Sequence, residues 1–172
     1  MHKGKIIVLN GVSSSGKTII AKELAKILPD YFHVSIDDYD YLIEKMEDRE
    51  NGKLIPVETD IFFHRQLKIF SDFGVNLIVD NVILNDMVLN DFQKTFVGYP
   101  VIFVAVHCPI EILNRREKER RDRKIGQAAQ QLDFVHKNIQ YDLEIDTHQR
   151  SLEFNTKKIY DFIQSLPSNL EV

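Results

Sequence analysis

The 172 residues of this chain are enough for one domain with a hydrophobic core and too few for two domains of ordinary size. A formal net charge of −4 argues against a general nucleic-acid-binding protein, which would present a broad basic surface. The single cysteine excludes an internal disulfide and fits a reducing compartment. Since no apolar run approaches a membrane span and no cleavable signal pattern precedes the first predicted strand, we expect one domain over residues 1–172, in the cytoplasm.

The first motif in the chain lies between a predicted strand and a predicted helix. Its eight residues fit the P-loop pattern G-x-x-x-x-G-K-[ST]: Gly11, Val12, Ser13, Ser14, Ser15, Gly16, Lys17 and Thr18. An apolar run at 5–9 precedes the motif, and a segment with helical spacing at 19–28 follows it. Strand, glycine-flanked loop and helix are the context that this pattern requires.

In a P-loop, the glycines let backbone N–H groups curl inward, and the start of the helix adds partial positive charge. We therefore predict that the eight residues bind nucleotide phosphates, with Lys17 reaching the outer phosphates and the Thr18 hydroxyl ligating Mg²⁺. The alternative is a glycine turn before a helix with a surface lysine, which the flanking strand and helix disfavour.

Two adjacent acids follow the second predicted strand. The segment 33–36 predicts a short strand with Asp37 and Asp38 at its carboxyl end, and a helix is predicted over 39–47. A carboxylate beside a P-loop can accept the proton of a hydroxyl that attacks a phosphoryl group. Alternatively, both acids are solvated, or one caps the following helix. Their position beside the nucleotide site favours the catalytic interpretation.

The rest of the chain alternates helices and strands. The helix that begins at Thr59 and ends at Gly74 has a regular apolar stripe: Phe63, Leu67, Phe70 and Phe73. Further strands are predicted over 76–82, 101–106 and 141–145, and further helices over 85–96, 109–123, 127–137 and 151–166. This alternation predicts a three-layer α/β fold, with a parallel five-stranded sheet and helices on both faces. Ligands of such sheets bind beyond the carboxyl ends of the strands, where Asp37, Asp80 and the P-loop fall.

Asp80 ends an apolar strand, as the second acidic motif of P-loop enzymes does. It is a candidate to hold Mg²⁺, directly or through water. Four apolar residues followed by an aspartate are common in strands, so this assignment depends on the P-loop beside it.

A charged run near residue 120 contains five arginines: Arg115, Arg116, Arg120, Arg121 and Arg123. One interpretation is a solvated charged helix with Glu117 and Glu119 as partners. The other is a mobile lid over about 115–127, whose guanidinium groups close over the phosphates and offset charge in the transition state. Gly126 would then be a hinge or a cap.

These motifs resemble the chloramphenicol phosphotransferase-like family of P-loop kinases. The matching stretches are 6–18, 33–38, 79–82, 108–117, 120–123 and 130–147, in the family's order and over most of the chain. The stretch 108–147 is much more specific than the P-loop. The family's antibiotic-phosphorylating member has R-G-D-R where this chain has Arg-Arg-Asp-Arg at 120–123, and it also differs over 38–56, so the resemblance does not extend to the antibiotic as substrate.

The resemblance implies a fold like that of nucleoside-monophosphate kinases with a lid. It also implies ATP and Mg²⁺ as cofactors and transfer of phosphate to a substrate hydroxyl. The family's catalytic base falls on Asp37, its P-loop lysine and hydroxyl on Lys17 and Thr18, and its lid arginines on Arg120 and Arg123.

We therefore expect an ATP-dependent small-molecule kinase that transfers the γ-phosphate to a hydroxyl. One alternative is a kinase of nucleotide or nucleic-acid 5′-hydroxyls, although the acidic balance makes a polynucleotide partner unlikely. Another is a nucleotide-dependent switch that signals through a protein partner. The absence of a guanine-specifying N-K-x-D motif disfavours the switch. Neither the acceptor nor the oligomeric state follows from the sequence.

Overall fold

A computed structural model describes residues 2–119 and 126–167 of the chain. The described strands are β1 (Ile6–Asn10), β2 (Tyr31–Ser35), β3 (Asn76–Asn81), β4 (Val101–His107) and β5 (Leu143–Asp146). The described helices are α1 (Lys17–Ile27), α2 (Ile36–Met46), α3 (Thr59–Asp72), α4 (Asp86–Thr95), α5 (Ile110–Glu119), α6 (Gln127–Val135) and α7 (Leu152–Ser165).

The described strands form a parallel five-stranded sheet in the order β2-β3-β1-β4-β5. Strand β1 lies in the middle, and its first residue, Ile6, pairs with Leu77 on one side and Val101 on the other. The predicted α/β class and the parallel sheet are thus confirmed. Because all strands run the same way, their carboxyl ends share one edge, from which the P-loop departs.

Helices cover both faces of the sheet, as the alternation of side chains along a strand requires. On one face, Ile7 and Leu9 of β1 pack with residues of α1 and α7. On the other face, Ile6 and Val8 pack with residues of α3 and α4. Every residue of β1 is buried, so the strand that carries the P-loop is held from both sides.

The predicted apolar stripe of α3 is only partly right. Phe63 and Leu67 are fully buried, and Phe70 packs at the margin of the core. Phe73 is 73% exposed because the helix ends at Asp72, before the stripe completes another turn. Gly74 follows with a φ of 80°, the left-handed conformation that commonly ends a helix.

The end of the second strand differs from the prediction by one residue. Strand β2 stops at Ser35, and α2 begins at Ile36, three residues earlier than expected. The Ser35 hydroxyl accepts a hydrogen bond from the Asp37 backbone N–H at 3.3 Å, so this serine is the helix cap. Asp37 and Asp38 therefore lie in the first turn of a helix, where carboxylates are favoured by the helix dipole, and neither acid ends the strand.

Within the described residues, every helix is too short or too polar to cross a lipid bilayer.

Candidate active site

The P-loop wraps between the end of β1 and the start of α1. A Cβ atom on Gly11 would stand 2.5 Å from the Val106 carbonyl oxygen of β4, so a glycine is required there. Ser14 and Gly16 have φ angles of 62° and 102°, in the left-handed region that reverses the chain direction. Helix α1 begins immediately afterwards at Lys17, so its unpaired N–H groups face the loop.

Two side chains from other elements hold the carbonyl groups of the P-loop. Nη1 of Arg116 in α5 donates to the carbonyl oxygens of Ser14 and Ser15, each at 3.1 Å. The hydroxyl of Thr147, just beyond β5, donates to the Ser15 carbonyl oxygen at 2.6 Å. Arg116 also donates to the Thr147 carbonyl oxygen at 3.2 Å, so the two supports form one cluster. Arg116 was predicted only as one of the five arginines of the possible lid, and Thr147 was not predicted as a site residue.

Lys17, Thr18 and Asp80 meet at the mouth of the loop. Nζ of Lys17 donates to the Val12 carbonyl oxygen at 3.0 Å and lies 3.8 Å from Oδ1 of Asp80. The Thr18 hydroxyl donates to Oδ2 of Asp80 at 2.5 Å. Lys17 and Asp80 are 6% and 4% exposed, which is rare for charged side chains unless they are paired. The three residues predicted to contact phosphate and metal are therefore neighbours.

The serines of the loop offer further polar groups. The Ser13 backbone N–H donates to the side-chain oxygen of Gln131 in α6 at 2.7 Å. The hydroxyl oxygens of Ser13, Ser14 and Ser15 are buried and have no hydrogen-bond partner among the described residues. Buried hydroxyls without partners are uncommon, and a bound polar ligand would satisfy those that face the cavity.

A cavity of about 560 Å³ opens in front of the P-loop. Ser13, Lys17, Thr18 and Asp80 line it at the loop. On the side of α2 and α3, the lining residues include three acids: Asp37, Asp40 and Asp60. Arg116, Thr147, Arg150, Leu152 and Asn155 also line the cavity. Asp37 therefore faces the same space as Lys17, whereas Asp38 is absent from the lining.

Asp60, the second residue of α3, lies in an unusual electrostatic environment. Burial raises the pKa of its carboxyl from 3.8 to about 6, and the negative charges of Asp40, Glu58 and Asp91 add to the shift. A hydrogen bond from its own backbone N–H acts in the opposite direction. Asp60 and Asp40 were not predicted as site residues. The sequence could have indicated Asp40, because it lies one helical turn after Asp37. It could not have indicated Asp60, which is distant in sequence and reaches the cavity only because α3 packs beside α2.

The charged run of α5 is not a uniformly solvated surface, because one of its acids, Glu117, lies inside the protein. Glu117 is fully buried, and its carboxylate accepts hydrogen bonds from the backbone N–H groups of Gly126 and Ala128, both at 2.7 Å. It thus caps α6 from a different helix, across the segment 120–125. The predicted lid arginines Arg120 and Arg123 lie outside the described residues.

Asn10, the last residue of β1, ties the base of the P-loop to three other parts of the fold. Its side-chain nitrogen donates to the Val135 carbonyl oxygen and to the Tyr141 hydroxyl, both at 2.8 Å, and its oxygen accepts from the Ile83 N–H at 2.9 Å. Burial raises the pKa of Tyr141 to about 12 and lowers the pKa of His136, which contacts it, to about 4. The buried side chain of Asn10 therefore links the P-loop strand to the end of α6, to Tyr141 and to the segment after β3.

Two solved kinase structures share this architecture. A sugar kinase from Janibacter sp. HTCC2649 superposes with a TM-score of 0.71 over 96% of this chain and 97% of its own, at 20% identity. The Mycobacterium tuberculosis APS kinase CysC, in a structure with AMPPNP and APS, gives a TM-score of 0.69 over 96% and 100% of the two chains, at 16% identity. At such identities the likeness shows the fold alone, which is that of the P-loop kinases.

The family follows from the sequence match. The model of the family described as chloramphenicol phosphotransferase-like protein matches residues 4–164, and the chain belongs to this family. A Mycobacterium tuberculosis protein named "Putative O-phosphotransferase Rv2636" is 28% identical to it, over 97% of this chain and 85% of its own length. The chain is therefore a phosphotransferase, as the sequence predicted.

Proposed function

We propose that this enzyme transfers the γ-phosphate of ATP to a hydroxyl group of a small molecule. The observation that carries the proposal is that one cavity joins the P-loop, with Lys17, Thr18 and Asp80, to the carboxylate of Asp37. A donor phosphate on the loop and an acceptor hydroxyl near Asp37 would then share one space, as in-line transfer requires.

The P-loop side of the cavity would bind the nucleotide. Backbone N–H groups at the start of α1 and the ammonium of Lys17 would contact the phosphate oxygens. Lys17 is well placed, because its Nζ already lies at the loop and within 3.8 Å of Asp80. The nucleoside would extend toward Arg116, Arg150 and Asn155, which line the same cavity.

Thr18 and Asp80 fit a magnesium site. They supply a hydroxyl and a carboxylate oxygen, and Mg²⁺ takes most of its remaining ligands from water and substrate phosphates. When bound with the nucleotide, the ion would offset negative charge on the phosphates.

Asp37 would act as the base. The acceptor oxygen forms a bond to the γ-phosphorus, the bond from that phosphorus to the β–γ bridging oxygen breaks, and the hydroxyl proton passes to the carboxylate. The products are the phosphorylated acceptor and ADP. Arg120 and Arg123, which the family resemblance assigns to the lid, would stabilise the charge that develops on the transferred group.

The test is an assay of ADP formation with ATP and Mg²⁺ across a panel of hydroxylated metabolites and drugs. We expect at least one acceptor to stimulate turnover and to gain phosphate by mass spectrometry. If no acceptor does so while a protein partner binds only in the presence of ATP, the nucleotide-dependent switch is the better description.

A further inference from the structure

One peptide group of the P-loop, between Val12 and Ser13, is held at both of its polar ends. Its carbonyl oxygen accepts a hydrogen bond from Nζ of Lys17 at 3.0 Å. Its N–H group donates to Oε1 of Gln131 in α6 at 2.7 Å. Because a trans peptide is planar, its C=O and N–H groups point in opposite directions and turn together. The hydrogen bond to Gln131 therefore favours the orientation that presents the carbonyl oxygen to Lys17.

Helix α6 is itself held at both ends, which gives the side chain of Gln131 a fixed place. At the start of the helix, the buried carboxylate of Glu117 accepts from two backbone N–H groups, each at 2.7 Å. At its end, the side chain of Asn10 donates to the Val135 carbonyl oxygen at 2.8 Å. Since Asn10 directly precedes the P-loop in sequence, the same helix is tied to the loop region at two points.

The side chain of Val12 packs against the same helix. It is buried in a cluster with Ala128 and Val135 of α6. Gln131 lies on α6 between these two residues, and it also lines the cavity in front of the P-loop. With the Val12 side chain in the core and the next N–H group bound to Gln131, this peptide has little freedom to turn.

We propose, building on the nucleotide site of the function proposed above, that Gln131 is a positioning residue for Lys17. Through the peptide between Val12 and Ser13, its amide oxygen fixes the carbonyl group to which the Lys17 ammonium donates. The ammonium is then already at the loop when the outer phosphates arrive, and less side-chain freedom is lost on binding. Without Gln131, the Ser13 N–H loses its acceptor and the peptide is free to turn, so Lys17 loses that carbonyl partner.

The test compares Gln131→Met with Gln130→Met. Methionine keeps the length and the helix propensity of glutamine but removes the amide. Gln130 is the matched control, because it is the neighbouring residue of the same type and is exposed. A third variant, Gln131→Glu, keeps an oxygen that can accept from the Ser13 N–H. Thermal melts of all variants show whether each one folds as the wild type does.

The first readout is made on the protein without nucleotide, by NMR. It records the ¹H–¹⁵N signal of the Lys17 ammonium, assigned by its loss in Lys17→Ala, and the hydrogen-exchange rate of the Ser13 N–H. We expect Gln131→Met to shift the Lys17 signal and to speed exchange at Ser13 about tenfold, the scale of one hydrogen bond. Gln130→Met should change neither, and Gln131→Glu should keep exchange slow. An unchanged Lys17 signal in Gln131→Met, or fast exchange in Gln131→Glu, overturns the inference.

The second readout is the binding of AMPPNP with Mg²⁺, which needs no acceptor. Gln131→Met should weaken binding about tenfold in the wild-type background and much less in the Lys17→Ala background, because Gln131 acts through Lys17. A loss of the same size in both backgrounds means that Gln131 acts independently of Lys17, and it overturns the inference.

The two proposals fail in different ways. If no acceptor supports ADP formation while the Lys17 signal and the AMPPNP affinity still depend on Gln131, the phosphotransfer function falls and the positioning role stands. If an acceptor supports turnover while Gln131→Met matches Gln130→Met in both readouts, the function stands and the positioning role falls.

Discussion

Lys17 carries the most direct prediction at the scale of single residues. Lys17→Ala should lower phosphoryl transfer about 10²-fold or more with the fold intact, because the lost charge acts on the transition state. The measurement is kcat/KM with the best acceptor, together with a thermal melt. Lys26→Ala is the control, since Lys26 lies on the same helix and pairs with Glu23 at the surface. Equal activity of the two variants would remove Lys17 from the mechanism.

Asp37 and Asp38 form a natural matched pair. Both lie in the first turn of α2, but Asp37 lines the cavity and Asp38 does not. Asp37→Asn should preserve nucleotide affinity and depress transfer to the acceptor, whereas Asp38→Asn should do much less. Titration with a nucleotide analogue and steady-state turnover, measured side by side, provide the comparison. An inactive Asp38→Asn beside a normal Asp37→Asn would show that the base is the other residue.

Asp60 should make the stability of the protein depend on pH. Its folded-state pKa of about 6 lies above the ordinary 3.8, so the folded state holds a proton that the unfolded state releases. The stabilisation is complete below pH 3.8 and is lost as the pH rises through 6. Asp60→Asn should therefore raise the free energy of unfolding at pH 7.5, by about 1–3 kcal/mol.

Urea unfolding of wild type and Asp60→Asn across pH 4–8 measures this effect. The gap between the two proteins should shrink toward pH 4, where the wild-type carboxyl is protonated in the folded state. A gap that stays constant with pH, or a variant that is less stable at pH 7.5, would contradict the assignment of a raised pKa.

At the scale of elements, Glu117 joins two helices. It is fully buried and accepts from two backbone N–H groups at the start of α6. Glu117→Ala should cost about 2–4 kcal/mol of stability, because two buried donors lose their acceptor. Chemical denaturation measures the loss, with Glu119→Ala, an exposed acid of the same helix, as the control. Similar stabilities of the two variants would mean that water replaces the carboxylate.

The proposed lid gives a second prediction at this scale. Arg120→Ala and Arg123→Ala should each lower kcat by an amount equivalent to about 2–4 kcal/mol of transition-state stabilisation. Stopped or continuous assays of ADP formation measure it, with Arg115→Ala as the comparison from the exposed face of α5. Full activity in both lid variants would make the charged run a solvated surface.

At the scale of the whole molecule, local patterns were enough to predict the sheet and the P-loop. Buried parallel strands are continuous apolar runs, and a P-loop is contiguous in sequence, so both can be recognised directly. The strand end at Ser35 was misplaced because Ile36 continues the apolar pattern while the serine before it caps a helix. Asp60 was missed because a cavity wall gathers residues that are distant in sequence.

The residues that hold the P-loop carbonyl groups, Arg116 and Thr147, could not be identified from the sequence for a related reason. Arg116 lies in a run of charges whose members look alike in sequence, although it alone among the described arginines of that run donates to the Ser14 and Ser15 carbonyl oxygens. Glu117, its neighbour, is buried while residues on either side of the pair are exposed. Such differences depend on which face of α5 meets the sheet, and that follows only from the packed structure.

The cluster of Arg116 and Thr147 around the P-loop has a consequence for how a nucleotide binds. Because Arg116 and Thr147 hold the carbonyl oxygens of Ser14 and Ser15, side chains of the protein itself help to set the shape of the loop. Little conformational entropy is then lost when the loop binds phosphate, so more of the free energy of the contacts contributes to nucleotide affinity. Association should proceed in a single kinetic phase at the loop, and weakening the cluster should reduce affinity through a less favourable binding entropy.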